Sequence, residues 1–387
     1  MKKQIYFDYA ATTPVDPRVV KAVQPYFFIQ YGNTMSGHSL GQKAAQILEN
    51  TRQLFADYIN ASPEEIIFTG SATESNNLAL KGVMFANRSQ KNHLIVSQIE
   101  HDCVLESAQW LEKQGFKVTY LTVDKNGFID INELEKAITP QTALVSIIHG
   151  NNEVGTVQDI EAIGKLCRSK GVYFHTDAAQ SFGKLPIDIK KQNIDLLTAS
   201  SHKIYGPKGA ALLFVRSGVR IEPILHGGGH EKGLRSSTVN LPAIVGFGKA
   251  VQILKKGGKK ENNRLSKLRD YLIKKVLTNI KGTHLNGDPK KRLANNINIS
   301  FASVEGESLM MELDFQNIAV STGSACSSKI LMPSHVLMAM GRQPQEAHGS
   351  LRISLGRWTK KSDIDYLVTN LKKVIKKLRA ISPFNYV

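Results

Sequence analysis

The sequence predicts an α/β fold: a mainly parallel seven-stranded sheet with helices on both faces, joined to a smaller α+β domain. Three observations carry this. Short, continuous apolar runs such as Ile66-Ile67-Phe68 and Leu94-Ile95-Val96 recur through the middle of the chain without period-two alternation, as in strands buried on both faces. Segments of helical length separate most of these runs, as parallel crossovers require. Small and polar residues gather just after several runs, at the sheet edge where open α/β sheets bind ligands.

Taken in order, strands are expected near 66 to 69, 94 to 97, 116 to 121, 143 to 148, 172 to 176, 195 to 200 and 210 to 215. After Thr238 a long helical stretch passes Gly257-Gly258 into an α+β segment containing Asn296-Ile297-Asn298-Ile299-Ser300-Phe301. Ile364, Leu367, Val368, Leu371, Ile375 and Leu378 recur at helical spacing, giving an amphipathic helix near the C-terminus. With 387 residues the chain is too long for one compact core, which argues for two domains.

Composition narrows the class. Apolar residues at 42% are ordinary for a soluble globular protein. No stretch approaches a membrane span, and the run after Met1-Lys2-Lys3 is too short for a signal-peptide core, so a cytoplasmic protein is expected. Three scattered cysteines, Cys103, Cys167 and Cys326, make neither a disulfide framework nor a zinc site, and no resident metal is expected. Cys103 and Cys167 lie in helix-like segments, where a small buried thiol is the default. The net charge of +17 comes largely from lysines late in the chain, including Lys255, Lys256, Lys259 and Lys260. It reads either as a solvated basic surface or as attraction for an acidic protein or an RNA-modifying complex, and direct nucleic-acid binding is not expected.

The chemistry is concentrated at three strand ends. Asp195-Leu196-Leu197-Thr198-Ala199-Ser200 delivers Ser201-His202-Lys203, and a desolvated lysine there can form a Schiff base with an aldehyde. Val172-Tyr173-Phe174-His175-Thr176 delivers Asp177 to the same edge, where a carboxylate can keep a pyridine nitrogen protonated. The turn Gly70-Ser71-Ala72-Thr73 opens a helix after Ile66-Ile67-Phe68-Thr69 and offers backbone amides to a phosphate. Imine-forming lysine, ring carboxylate and phosphate cradle together are the protein's half of pyridoxal phosphate chemistry.

The chain resembles the cysteine desulfurases of the class V aminotransferase family, the iron-sulfur-cluster and nitrogenase type of sulfur donor. The likeness runs nearly end to end, through Tyr6-Phe7-Asp8-Tyr9-Ala10-Ala11-Thr12-Thr13-Pro14, Ala72-Thr73-Glu74-Ser75, Glu100-His101, Asn151-Asn152-Glu153-Val154-Gly155, His226-Gly227-Gly228-Gly229-His230-Glu231, Arg235-Ser236-Ser237-Thr238 and Gly323-Ser324-Ala325-Cys326. It implies the pyridoxal-phosphate transferase architecture called fold type I. The large domain would be 14–250, with 1–13 and 251–387 forming the small domain that carries a mobile cysteine loop.

The resemblance also implies roles. Lys203 would hold pyridoxal 5'-phosphate, Asp177 would pair with its ring nitrogen, Gln180 would hydrogen-bond its phenolic oxygen, and His101 would stack on the ring as an acid or base. Ala72, Thr73, Ser200, Ser201 and His202 would surround the phosphate. Thr238 would join them from the second subunit of a homodimer. Arg352 would grip the substrate carboxylate, helped by Asn152; from the residues alone, the face of Arg352 is either cleft or solvent. Cys326 lies between Thr322-Gly323-Ser324 and Ser327-Ser328 in a polar loop that cannot pack as core. It would take the sulfur of L-cysteine as a persulfide, leaving L-alanine, and pass it to an acceptor such as an iron-sulfur scaffold or a tRNA-thiolation enzyme. While shared with a scaffold, Cys326 would be a transient cluster ligand. A transaminase or selenocysteine lyase is the enzymatic alternative, and a transaminase has no use for Cys326.

Overall fold

The computed structural model describes residues 4–323 and 333–382. Its central sheet contains β2 (Ile66–Thr69), β3 (His93–Ser97), β4 (Lys117–Leu121), β5 (Thr142–Ser146), β6 (Tyr173–Asp177), β7 (Leu196–Ser200) and β8 (Ala211–Val215), after a short β1 (Ile5–Tyr6). The strand order is β2-β8-β7-β6-β5-β3-β4. Only β8 runs against its neighbours β2 and β7. The C-terminal ends of β2, β3, β5, β6 and β7 therefore share one edge. β3 and β5 lie side by side where the order changes direction, the place where α/β sheets open a crevice.

Alternate residues of the inner strands and of β2 explain the two-sided burial. Ile66, Phe68, Ile95, Val145, Phe174 and Leu197 enter one apolar cluster, while Ile67, Leu94, Val96, Leu144 and Leu196 enter another on the opposite face. The continuous apolar runs are the signature of a sheet buried on both sides.

A third cluster is built on an antiparallel sheet of β9 (Thr283–Leu285), β10 (Asn296–Phe301) and β12 (Ser350–Ser354), with β10 in the middle. β1 pairs in parallel with β11 (Ile318–Ala319), and Phe7 joins this cluster. The N-terminal segment thus belongs to the packing of the C-terminal region. The helix Leu241–Asn279 links the cores: Phe247, Val251 and Leu254 enter the first, and Leu265, Leu272 and Val276 the third. It runs unbroken through Gly257 and Gly258. Gly257 has open space around it, and Gly258 packs against Leu254. Among the described residues, no helix is long and apolar enough to cross a membrane.

Candidate active site

A cavity of about 320 Å³ opens at the shared strand edge, and β12 and the N-terminal segment close its other side. Ala72, Thr73, His101, Asn152, Asp177, Gln180, His202, Lys203 and Arg352 all line it.

Lys203 sits in a single 3-10 turn directly after β7. Its Nζ donates to the carbonyl oxygens of Ala10 (2.7 Å) and Ala11 (2.9 Å), so the N-terminal segment holds the amine at the cavity wall. The neighbouring His202 Nδ1 lies 3.1 Å from Thr12 Oγ1. Burial pushes the His202 imidazole down to about 4, with nearby Lys203, Lys208 and Lys184 acting in the same direction. His202 is therefore neutral at physiological pH and can serve an anion as a hydrogen-bond donor, not as a charge.

Asp177 ends β6 and is 4% exposed. Its Oδ1 accepts from the Ala179 amide (2.8 Å) and its Oδ2 from Asn76 Nδ2 (2.7 Å). Asn76 is fully buried on the helix Ala72–Asn77 and also donates to Cys103 Sγ at 3.2 Å. Cys103 in turn lies 3.1 Å from His101 Nδ1, which accepts the Cys103 amide as the N-cap of the helix Asp102–Lys113. One run of contacts thus joins Asp177, Asn76, Cys103 and His101. Beneath it, burial pushes the Glu100 carboxyl up to about 8, against hydrogen bonds from Ser97 Oγ (2.6 Å) and the Ile148 amide (2.8 Å). Asp177 nearby also disfavours a second charge.

The helix Ala72–Asn77 begins where β2 ends because Ser71 caps it, accepting the Glu74 amide at 3.1 Å. Glu74 Oε2 accepts the Gly70 amide at 2.9 Å, and Glu74 Oε1 binds Arg235 at 2.7 Å. The turn that carries Ala72 and Thr73 is thereby tied to the segment leading to Thr238. Thr238 itself is exposed and does not line the cavity. Ser200 and Ser201 are buried behind the cavity and do not line it. A side chain added at Gly206 would collide with Ser201 Oγ, so the hydroxyl is turned toward that backbone.

Arg352 on β12 settles as cleft, not solvent: it is 4% exposed. One terminal nitrogen donates to Asp8 (3.1 Å) and to Ser321 Oγ (3.3 Å), the other to the Asn152 carbonyl (3.3 Å). Its buried Nε has no partner among the described residues. Gln180 Nε2 donates to the Ala10 carbonyl at 2.8 Å.

Sequence reasoning missed Asp8, Asn76 and Cys103 as parts of this site. Asp8 lies inside the N-terminal motif and Asn76 directly after Ala72-Thr73-Glu74-Ser75, but their roles depend on which distant strand end they meet. Cys103, expected as a buried thiol, is half-buried and lines the cavity, because its helix starts at the cavity wall. Cys167 is the inert thiol expected: burial pushes it up to about 12. Cys326 lies outside the described residues; Gly323, three positions earlier, lines the cavity. Among the described residues, no three His, Cys, Asp or Glu side chains are grouped to hold a metal.

A strand-edge lysine, a buried carboxylate and an internal arginine lining one cavity define a class of aminotransferase-like enzymes. A family model described as aminotransferase class-V matches residues 5–367, and the chain belongs to that family, among its cysteine desulfurases. The cysteine desulfurase IscS of Dictyoglomus turgidum is 46% identical, with 99% of this chain and 98% of the relative covered. Cysteine desulfurase IscS 1 of Archaeoglobus fulgidus is 49% identical, with 98% of each covered. Among solved structures, a NifS-like protein superposes with a TM-score of 0.91 at 37% identity, covering 97% of this chain and all of that one. SspA in complex with cysteine gives 0.81 at 40% identity, covering 91% and 99%.

Proposed function

We propose that this chain uses pyridoxal 5'-phosphate to take sulfur from L-cysteine onto Cys326, releasing L-alanine. The observation that carries the reading is the convergence of Lys203, Asp177 and Arg352 on one cavity whose wall includes Gly323, three residues before Cys326. The residues present fit the cofactor. Lys203 offers an amine for the aldehyde, buried Asp177 a carboxylate for the ring nitrogen, and Ala72, Thr73 and neutral His202 a setting for the phosphate. When bound, pyridoxal phosphate supplies an electron sink that acidifies the Cα–H bond of an amino acid joined to it.

The chain's own residues do the rest. Asn76 and the Ala179 amide hold the Asp177 carboxylate in one orientation. Arg352 would bind the substrate carboxylate and so hold the substrate in the cavity whose wall includes Gly323. Lys203 Nζ would take the Cα proton. Cys326 thiolate attacks the substrate sulfur: an S–S bond forms, the C–S bond breaks, and the carbon fragment gains protons to leave as alanine. L-cysteine and one enzyme thiol become L-alanine and one enzyme persulfide.

A homodimer is part of the proposal. Phe27, Phe28, Ile29, Tyr31 and Met35 are each at least 60% exposed within one short segment, an apolar surface unusual for a monomer, and exposed Thr238 would complete a partner's phosphate site. We assign 14–250 to cofactor binding and 1–13 with 251–387 to presentation of the Cys326 loop. The acceptor would be an iron-sulfur scaffold or tRNA-thiolation enzyme in the cytoplasm. An acidic surface on it would match the open groove lined by Lys255, Lys256, Lys259, Lys260, Arg264 and Lys267.

The test mixes purified, cofactor-loaded protein with L-cysteine and measures alanine and protein-bound persulfide in wild type and Cys326→Ala. Both products in wild type and neither in the variant are expected. Equal alanine from both without persulfide would move the activity to a lyase.

A further inference from the structure

Lys184 carries an amine that the proposed chemistry does not use. Its backbone carbonyl accepts from Asn262 Nδ2 at 2.6 Å, which clamps it to the helix Leu241–Asn279. Its Nζ donates to the Gln180 main-chain oxygen at 2.9 Å and reaches Gln180 Oε1 at 3.4 Å. The other end of the same carboxamide donates to the Ala10 oxygen, which also accepts from Lys203 Nζ. The order is therefore Lys184, Gln180, Ala10, Lys203, with a lysine at each end.

A carboxamide has two orientations that exchange its donor and acceptor ends. An ammonium beside one end admits only the oxygen there, so while Lys184 is protonated the nitrogen must face Ala10 and the cavity. Lys184 is half-buried, and withdrawing an ammonium from water is costly unless it is paired. Burial pushes the Lys184 ammonium down to about 7; Lys203 acts the same way, and Glu261 opposes. The groups facing it are Lys203 and neutral His202 from the turn after β7 and Glu261 from the long helix, the last held by Arg357 at 2.8 Å.

We propose that Lys184 is a positioning residue that fixes the Gln180 carboxamide with its nitrogen toward the cavity, and so sets the proton affinity of the Lys203 nitrogen once it is joined to the cofactor. The proposal rests on the reading that the cavity takes pyridoxal phosphate. An aligned donor beside the ring's phenolic oxygen, with a cation behind it, favours the deprotonated linkage; losing both favours the protonated one.

The experiment reconstitutes wild type, Lys184→Met, Lys184→Arg, Gln180→Ala and the Gln180→Ala/Lys184→Met double variant with pyridoxal phosphate, and titrates the visible absorbance with pH. If wild type acquires no lysine-linked absorbance, the cofactor reading fails, whatever Lys184 does. Given that absorbance, Lys184→Met is expected to raise the titration midpoint by about one pH unit. Lys184→Arg, which keeps charge and donors, should stay near wild type and show that the site still folds. Because Lys184 acts through Gln180, the Met substitution should shift the Gln180→Ala protein less than half as much. A shift below about 0.3 unit in the wild-type background, or one kept at half or more of its size without Gln180, overturns the proposal.

Discussion

Replacing Arg352 with lysine tests substrate recognition where the structure is most specific. The guanidinium is almost fully buried and splits its bonds among Asp8, Ser321 and the Asn152 carbonyl, with the main chain pinned by Arg352 N to Ser321 O at 2.7 Å. Lysine can keep the Asp8 pairing but has no planar fork with which to hold Asp8 and a second carboxylate together. The expected loss is one charge-assisted hydrogen bond to the substrate, about 2 kcal/mol, or about 30-fold in affinity. The assay is binding of L-alanine, which has the carboxylate, against ethylamine, which lacks it, each read by the cofactor's absorbance change. Arg352→Lys should weaken L-alanine by that factor and ethylamine by less than about threefold. Equal weakening of both ligands, or none for L-alanine, would refute the assignment of Arg352 to the carboxylate.

Three further outcomes come from the same geometry. Asn76→Ala removes a buried 2.7 Å hydrogen bond to Asp177, and should weaken pyridoxal phosphate binding about tenfold by equilibrium dialysis; a lower melting temperature with unchanged binding would make Asn76 merely structural. Glu100, whose folded carboxyl titrates near 8 against 4.5 unfolded, contributes stability that is present below pH 4.5 and lost as pH rises through 8. The urea midpoint of Glu100→Gln relative to wild type should therefore rise across that window, and a flat difference would show that Glu100 is ionised in the fold. His149 behaves oppositely: burial lowers it from 6.5 to about 4, so its contribution is complete above 6.5 and lost as pH falls through 4. The stability gap between wild type and His149→Gln should narrow on acidification between those values, and a constant gap would sink the assignment.

What the sequence made legible was local. Apart from the edge strand β4, each strand of the central sheet is a run of four or five residues with alternate members buried in opposite clusters, so the run itself announces a two-sided sheet, and the residues just after it must emerge at the edge. Lys203, Asp177, His101 and Thr73 all obey that rule, and all reach the cavity. What stayed hidden needed contacts between distant segments. Asp8 matters because β1 joins the C-terminal packing and brings the N-terminal segment beside Arg352, a separation of 344 residues that no periodicity encodes. Asn76 is read locally as an ordinary helix residue; only its placement beside β6 makes it the partner of Asp177. Lys184 comes four residues after Gln180 in a turn, and nothing in the chain's pattern separates a solvated lysine from one packed against Gln180. In each case the residue type was visible, and its role came from the strand order that set its neighbours. For this fold, Lys203, Asp177, His101 and Thr73 are found at the cavity by strand-end rules, whereas Asp8, Asn76 and Lys184, which brace its walls, are found only from packing.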